Sequence, residues 1–398
     1  MQLHIDEVQS LVGFAPCNAP KGSYGWVLSS ASLTSDEPDF YRYIEQISNI
    51  FFSLTYRFDD QLCFINIDEI HQFLILIHRD LSADIYVNDF SIEVKMLAKR
   101  DLKAGIIREN DIADISELRF PDIDIQESDN VIYCFKVGWK FGLYFDFLNH
   151  VRKSDIASMQ ANLGRLYRYL SFQYVYQSLE SETHFAEMIK DGWFPFVQIL
   201  GEEYKELART YQNEKFTYDD KVKRMIDKFD ESRVKSMTAK WWKQPIFREK
   251  QQLLQAGIDA FLQRSESGYI NCIKTLYTEI EGIMRFLYFR NTGQGNRVGL
   301  KELILHLTDI GKRRAANDDQ SLLLARQFLE YLTGSVFTNF DLETGTVDLS
   351  RHSASHGVAI AKDYTPERAL QALLTLDQIY FYLPESPSET GNVTPLQA

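Results

Sequence analysis

The spacing of apolar positions changes once along the chain. Over the first 150 residues it is short and alternating, and from about Ile156 onward it recurs every three to four residues. Ala83–Val87 and Val131–Val137 read as strands, the second closed by Gly138, and Gly25–Leu28 and Leu62–Ile67 are β-rich runs between turn residues. Phe73–Ile77 is continuously apolar, which fits a strand buried on both faces or a short core helix. Tyr41–Leu54 carries the helical spacing of this region.

In the rear part, Met159 to Leu179 reads as an aromatic helix. Trp193, Phe196, Leu200, Tyr204, Leu207 and Tyr211 mark a second, of about five turns. Lys221 to Lys250 is basic and sets Trp241-Trp242 between Lys240 and Lys243. Those rings either cap a core from a solvated helix or stack on unpaired bases. Beyond residue 250 four stripes follow. Leu254, Ile258 and Phe261 form one, and Ile270 to Leu287 a longer one; Leu303 to Ile310 stops at Gly311, and Leu324 to Leu332 stops at Gly334. Asn291–Asn296 is a loop between them, and Pro366 suits the first turn of a last helix. The expected fold is therefore α+β: a mixed α/β domain over 1–150, a helical aromatic connection over 151–249, and a compact helical domain over 250–384. Residues 385–398 lack apolar periodicity and are expected to be disordered.

Composition adds bounds rather than a function. With 45% apolar and 25% charged residues the chain reads as an ordinary soluble protein. No apolar run approaches the ~20 residues of a membrane span, and the first residues lack the basic start of a secretory signal. Cys17, Cys63, Cys134 and Cys272 are scattered, which fits buried thiols in a reducing cytoplasm and neither a disulfide framework nor a zinc knuckle. Charge is uneven: residues 1–150 hold 12 basic and 24 acidic side chains and so carry nearly all of the net −13. The front should repel a polyanion, leaving the rear to bind any nucleic acid. The front has no glycine-rich phosphate loop and no nucleophile elbow. Its default role is a sensing module for a regulatory protein or ligand.

The candidate chemistry lies in Val347–Val358, where Arg351, His352 and His356 fall within six positions. Asp348 or Ser350 would cap a helix there, with His356 one turn inside it. Five positions amount to about 140° of rotation, so Arg351 and His356 leave different faces, whereas His352 and His356 share one. A guanidinium that stays charged and an imidazole that titrates near neutrality suit RNA cleavage by its own 2′-hydroxyl. In that reading His356 is the base or acid, Arg351 clamps the phosphate, and His352 orients the others or binds phosphate. Two rival readings stand: half of a zinc site at His352 and His356, or plain hydrogen bonding across a helical bundle. Glu279 and Glu281 lie beside the long apolar stripe, where either can pair with Arg351 or Arg285. Lys312-Arg313-Arg314 complements a helix end or touches phosphate.

Arg351-His352-Ser353-Ala354-Ser355-His356 resembles the R-x4-6-H motif of the HEPN superfamily (higher eukaryotes and prokaryotes nucleotide-binding), including a polar residue after the arginine. The resemblance covers about residues 250–384. It implies a small helical bundle and a metal-independent endoribonuclease without a cofactor, working as a homodimer with two motifs facing one cleft. Its products would be 2′,3′-cyclic phosphate and 5′-hydroxyl ends, and its role that of a toxin or phage-defence effector. The resemblance also admits a catalytically silent module that binds a nucleotide or a protein partner.

Overall fold

The computed structural model describes residues 2–16, 18–55, 70–147, 155–294, 298–339 and 350–384. The expectations for Leu62–Ile67, for Asp348 as a cap and for the tail lie outside those residues. The architecture is α+β, with an antiparallel sheet in the N-terminal part and helices in the C-terminal part. The chain divides into two compact units, 1–96 with 115–173, and 97–114 with 174–398. The boundary expected at residue 150 thus falls after Gln173, and a short stretch of the front belongs to the rear unit.

The strands, all but the end of β5 and the start of β6 in the first unit, are β1 (Gln2–Ile5), β2 (Ser30–Thr34), β3 (Gln72–Ile77), β4 (Ala83–Val87), β5 (Glu93–Ala98), β6 (Ile112–Arg119), β7 (Asn130–Val137) and β8 (Lys140–Asp146). Six of them form an antiparallel sheet in the order β1-β4-β3-β7-β8-β2, and β5 pairs with β6. The apolar run Phe73–Ile77 is the strand of the two alternatives, and its period-two geometry explains why no residue in it is polar. Ile75 and Ile77 face a core closed by Phe40, Tyr43 and Ile47 of α1 (Pro38–Thr55). Leu74 and Leu76 face the opposite core, closed by Met159, Leu163, Leu166 and Leu170 of α2 (Ile156–Ser171). Gly25–Leu28 forms no strand; Leu28 makes a single bridge to Phe14. Cys134 sits in the first of these cores, and burial pushes its thiol up to about 12, so it stays unreactive.

The helices continue with α3 (Gln173–Glu180), α4 (Glu182–Lys190), α5 (Glu202–Asn213), α6 (Tyr218–Lys228), α7 (Glu231–Ala239) and α8 (Pro245–Glu249). The C-terminal set is α9 (Gln251–Leu262), α10 (Glu266–Thr292), α11 (Leu300–Arg314), α12 (Ala325–Tyr331), α13 (Arg351–Ser355) and α14 (Pro366–Tyr382). The long α10 packs against α9, α11, α13 and α14.

Several helical expectations need correction. Met159–Leu179 is two helices parted at Phe172. Trp193–Tyr211 is not one helix: only Glu202–Asn213 is α-helical. Pro195 has no N–H to give a helical ladder, and Gly201 turns the chain at φ +112°, so the apolar spacing there comes from a folded-back segment. Gly311 does not end its helix, which runs to Arg314. A Cβ at Gly311 would meet the Tyr382 ring at 2.9 Å, so the glycine permits close packing of α11 on α14. Gly334 likewise lies inside a π turn, Leu332–Val336, that extends α12. Trp241 is fully buried and donates from Nε1 to Asp377 at 2.8 Å, beside the Lys240–Asp377 ion pair. That ring caps a core and cannot stack on a base.

Candidate active site around Arg351

Ser350 starts α13. Its Oγ accepts from the Ser353 N–H at 3.2 Å, and its own N–H donates to Ser353 Oγ at 2.8 Å, a reciprocal cap. Both serines are buried, so the turn is rigid at its root. The helix is a single turn. His356 closes it, with its N–H on the His352 carbonyl at 2.9 Å. Gly357 then takes φ +70°, and the Val358 N–H reaches back to the Ser353 carbonyl at 3.0 Å. His356 is therefore at the end of the turn, exposed, rather than one turn inside a longer helix.

α10 supplies the counter-charge. Glu281 is buried and splits its carboxylate between two arginines. Oε1 accepts from Arg285 Nε at 2.8 Å, and Oε2 lies 2.7 Å from Arg351 Nε. The second is a charge contact without the alignment of a hydrogen bond. Among the described residues the two terminal nitrogens of Arg351 make no hydrogen bond, so its fork keeps its donors. Glu279 faces elsewhere. Two positions on a helix is about 200° of rotation, and Glu279 pairs with Lys250 at 2.9 Å.

The histidines stand side by side, with rings nearly parallel at 15° and centroids 6.5 Å apart. Burial lowers the pKa of His352, the Arg351 charge lowers it further, and His356 adds to this against the opposing pull of Glu281. His352 is accordingly uncharged at neutral pH. It can accept a proton, and it cannot attract phosphate by charge. Among the described residues no three His, Cys, Asp or Glu side chains are grouped to hold a metal ion.

The basic cluster lies apart from this site. Lys312, Arg313 and Arg314 form the last turn of α11. Arg313 and Arg314 line a cavity of about 490 Å³ together with Arg290, Leu287, Ile310 and Leu383. Leu287 and Arg290 leave α10 some 120–180° round from Glu281, at ~100° per residue. The structure thus brings Arg351, His352, His356 and Glu281 together and leaves Glu279 and the cluster outside. Arg290 was not legible beside Arg313 in the sequence, because no short spacing joins two positions on neighbouring helices.

No protein-family model, curated protein or solved structure matches the chain. Among the described residues no helix is long and apolar enough to cross a membrane.

Proposed function

We propose that the chain is a metal-independent endoribonuclease of the HEPN type, with its chemistry at Arg351, His352 and His356. The observation that carries this reading is the state of Arg351. Glu281 anchors it through Nε, its terminal nitrogens make no hydrogen bond among the described residues, and two imidazoles stand beside it. A planar fork with open donors fits two phosphate oxygens and stabilises the charge that builds on them.

In this mechanism the uncharged His352 takes the proton of the 2′-hydroxyl, which attacks the adjacent phosphorus. His356, exposed at the end of the turn, returns a proton to the 5′-oxygen as the P–O bond breaks. The products are a 2′,3′-cyclic phosphate and a 5′-hydroxyl end. Pairing of two protomers would enclose the groove on its exposed side and exclude water. A role as a toxin or phage-defence effector in the cytoplasm belongs to the same proposal.

The test is direct. Total RNA is incubated with the protein in EDTA, and the ends of the fragments are analysed. Cleavage that persists under chelation, yields cyclic phosphate ends and falls at least about 100-fold in His356→Ala supports the reading. Intact RNA from a folded protein overturns it in favour of a silent binding module. Loss of cleavage under EDTA alone would point to the histidine pair as metal ligands.

A further inference from the structure

The rear unit holds a second cavity, remote in sequence from Arg351 and independent of the nuclease reading. Its volume is about 820 Å³, within the common range for small-molecule sites (~300–1,000 Å³). Lys99, Arg100, Arg108 and Asp111 line it from the stretch 97–114, and Lys228 and Arg233 from the helical part of the same unit.

The cations there are not equivalent. Arg233 is neutralised by Glu203 through contacts of 2.5 and 2.7 Å, and Arg100 by Asp111 at 2.9 Å. Arg108 and Lys228 have no carboxylate partner among the described residues. Lys99 differs from all of them: only 4% of its surface is exposed. Its main chain is fixed on both sides, by the Asp111 carbonyl at 2.9 Å and by Lys240 Nζ at 3.2 Å. Its Nζ donates to the Leu200 carbonyl at 2.5 Å, a bond that an uncharged amine makes while keeping its lone pair. Among the surrounding charges Glu203, Glu109 and Asp111 favour the ammonium, and Arg233 opposes it. Burial outweighs the carboxylates and pushes Lys99 down to about 7.

We propose that this cavity binds a small anion carrying an aldehyde or ketone, and that Lys99 Nζ forms an imine with it. The lone pair of Nζ attacks the carbonyl carbon, and the carbinolamine loses its oxygen as water to leave a C=N bond. Arg108 and Lys228 meet the anionic group.

The probe is pyridoxal 5′-phosphate, added to the full-length chain at pH 7, trapped with borohydride and mapped by peptide mass spectrometry. Lys99 should label more than about tenfold faster than any exposed lysine, since far more of it is uncharged at that pH. Its labelling should collapse at pH 5. Pyridoxal without the phosphate should show a smaller preference for Lys99 over exposed lysines, and Arg108→Ala, an exposed change checked for an unaltered melting curve, should narrow the difference between the two probes. Lys99 labelling no faster than exposed lysines overturns the proposal, as does an equal preference for Lys99 with the two probes in the unaltered protein.

Discussion

Glu281 decides whether Arg351 is a functional group or a liability. Both side chains are largely shielded, so removing the carboxylate takes away the counter-charge of the guanidinium at the root of α13. Glu281→Gln should lower stability by about 1–3 kcal/mol and reduce RNA cleavage more than tenfold, read by thermal melting and by initial rates. A stable but inactive variant would still fit; a stable and fully active one would remove Glu281 from the site. His352 carries the second residue-scale expectation. Its folded-state pKa lies below the ordinary 6.5, so the unfolded chain binds the extra proton first. Its contribution to stability is complete above about 6.5, falls as pH drops into the window between the two values, and is lost through the lower one. Melting curves at pH 5 to 7 should show this slope, and His352→Asn should flatten it. The rate of cleavage should rise over the same window as His352 loses its proton. The cap at Ser350 was legible in sequence because it is local, whereas the end of the helix at His356 was not, because the apolar pattern there suggested a longer one. Glu281 was legible only as a glutamate beside a stripe, since the phase of α10 separates it from Glu279 and no short pattern encodes that phase.

Elements were legible where periodicity was strong and unbroken. The strands Ala83–Val87 and Val131–Val137 and the helices α9, α10 and α14 follow directly from their apolar spacing. The errors came from glycine and proline, whose local preferences outweighed periodicity or were outweighed by packing. Pro195 and Gly201 broke a stripe that looked continuous, and Gly311 stayed inside a helix because a neighbouring ring lies against it. Gly164 shows the same contact logic in the first unit. A Cβ there would lie 2.6 Å from the Glu117 backbone of β6, so α2 rests on that strand only because the position is bare. Gly164→Ala should destabilise the protein by about 1–3 kcal/mol, although alanine favours helices. Denaturant midpoints measure it, and an unchanged or raised midpoint would show that α2 shifts without cost.

At the scale of the whole molecule the sequence announced an α+β chain and an acidic front, and it left open how protomers combine. The symmetric dimer of the proposal is testable without seeing it. A closed two-fold contact uses the same patch from both partners, so two motifs would face each other across it. If both are needed to form one groove, a dimer with a single intact motif is inactive. Wild-type protein mixed with an equal amount of His356→Ala, then unfolded and refolded together, gives about one quarter intact dimers by random pairing. Activity should then fall to about one quarter of that of a wild-type sample refolded alone at the same total concentration. Motifs that work alone would leave about one half under the same pairing. That higher value, or a sedimentation profile showing only monomers that still cut RNA, would confine the chemistry to Arg351, His352 and His356 of one chain. Glu281 and the Ser350–Ser353 cap would then hold the arrangement within that one chain.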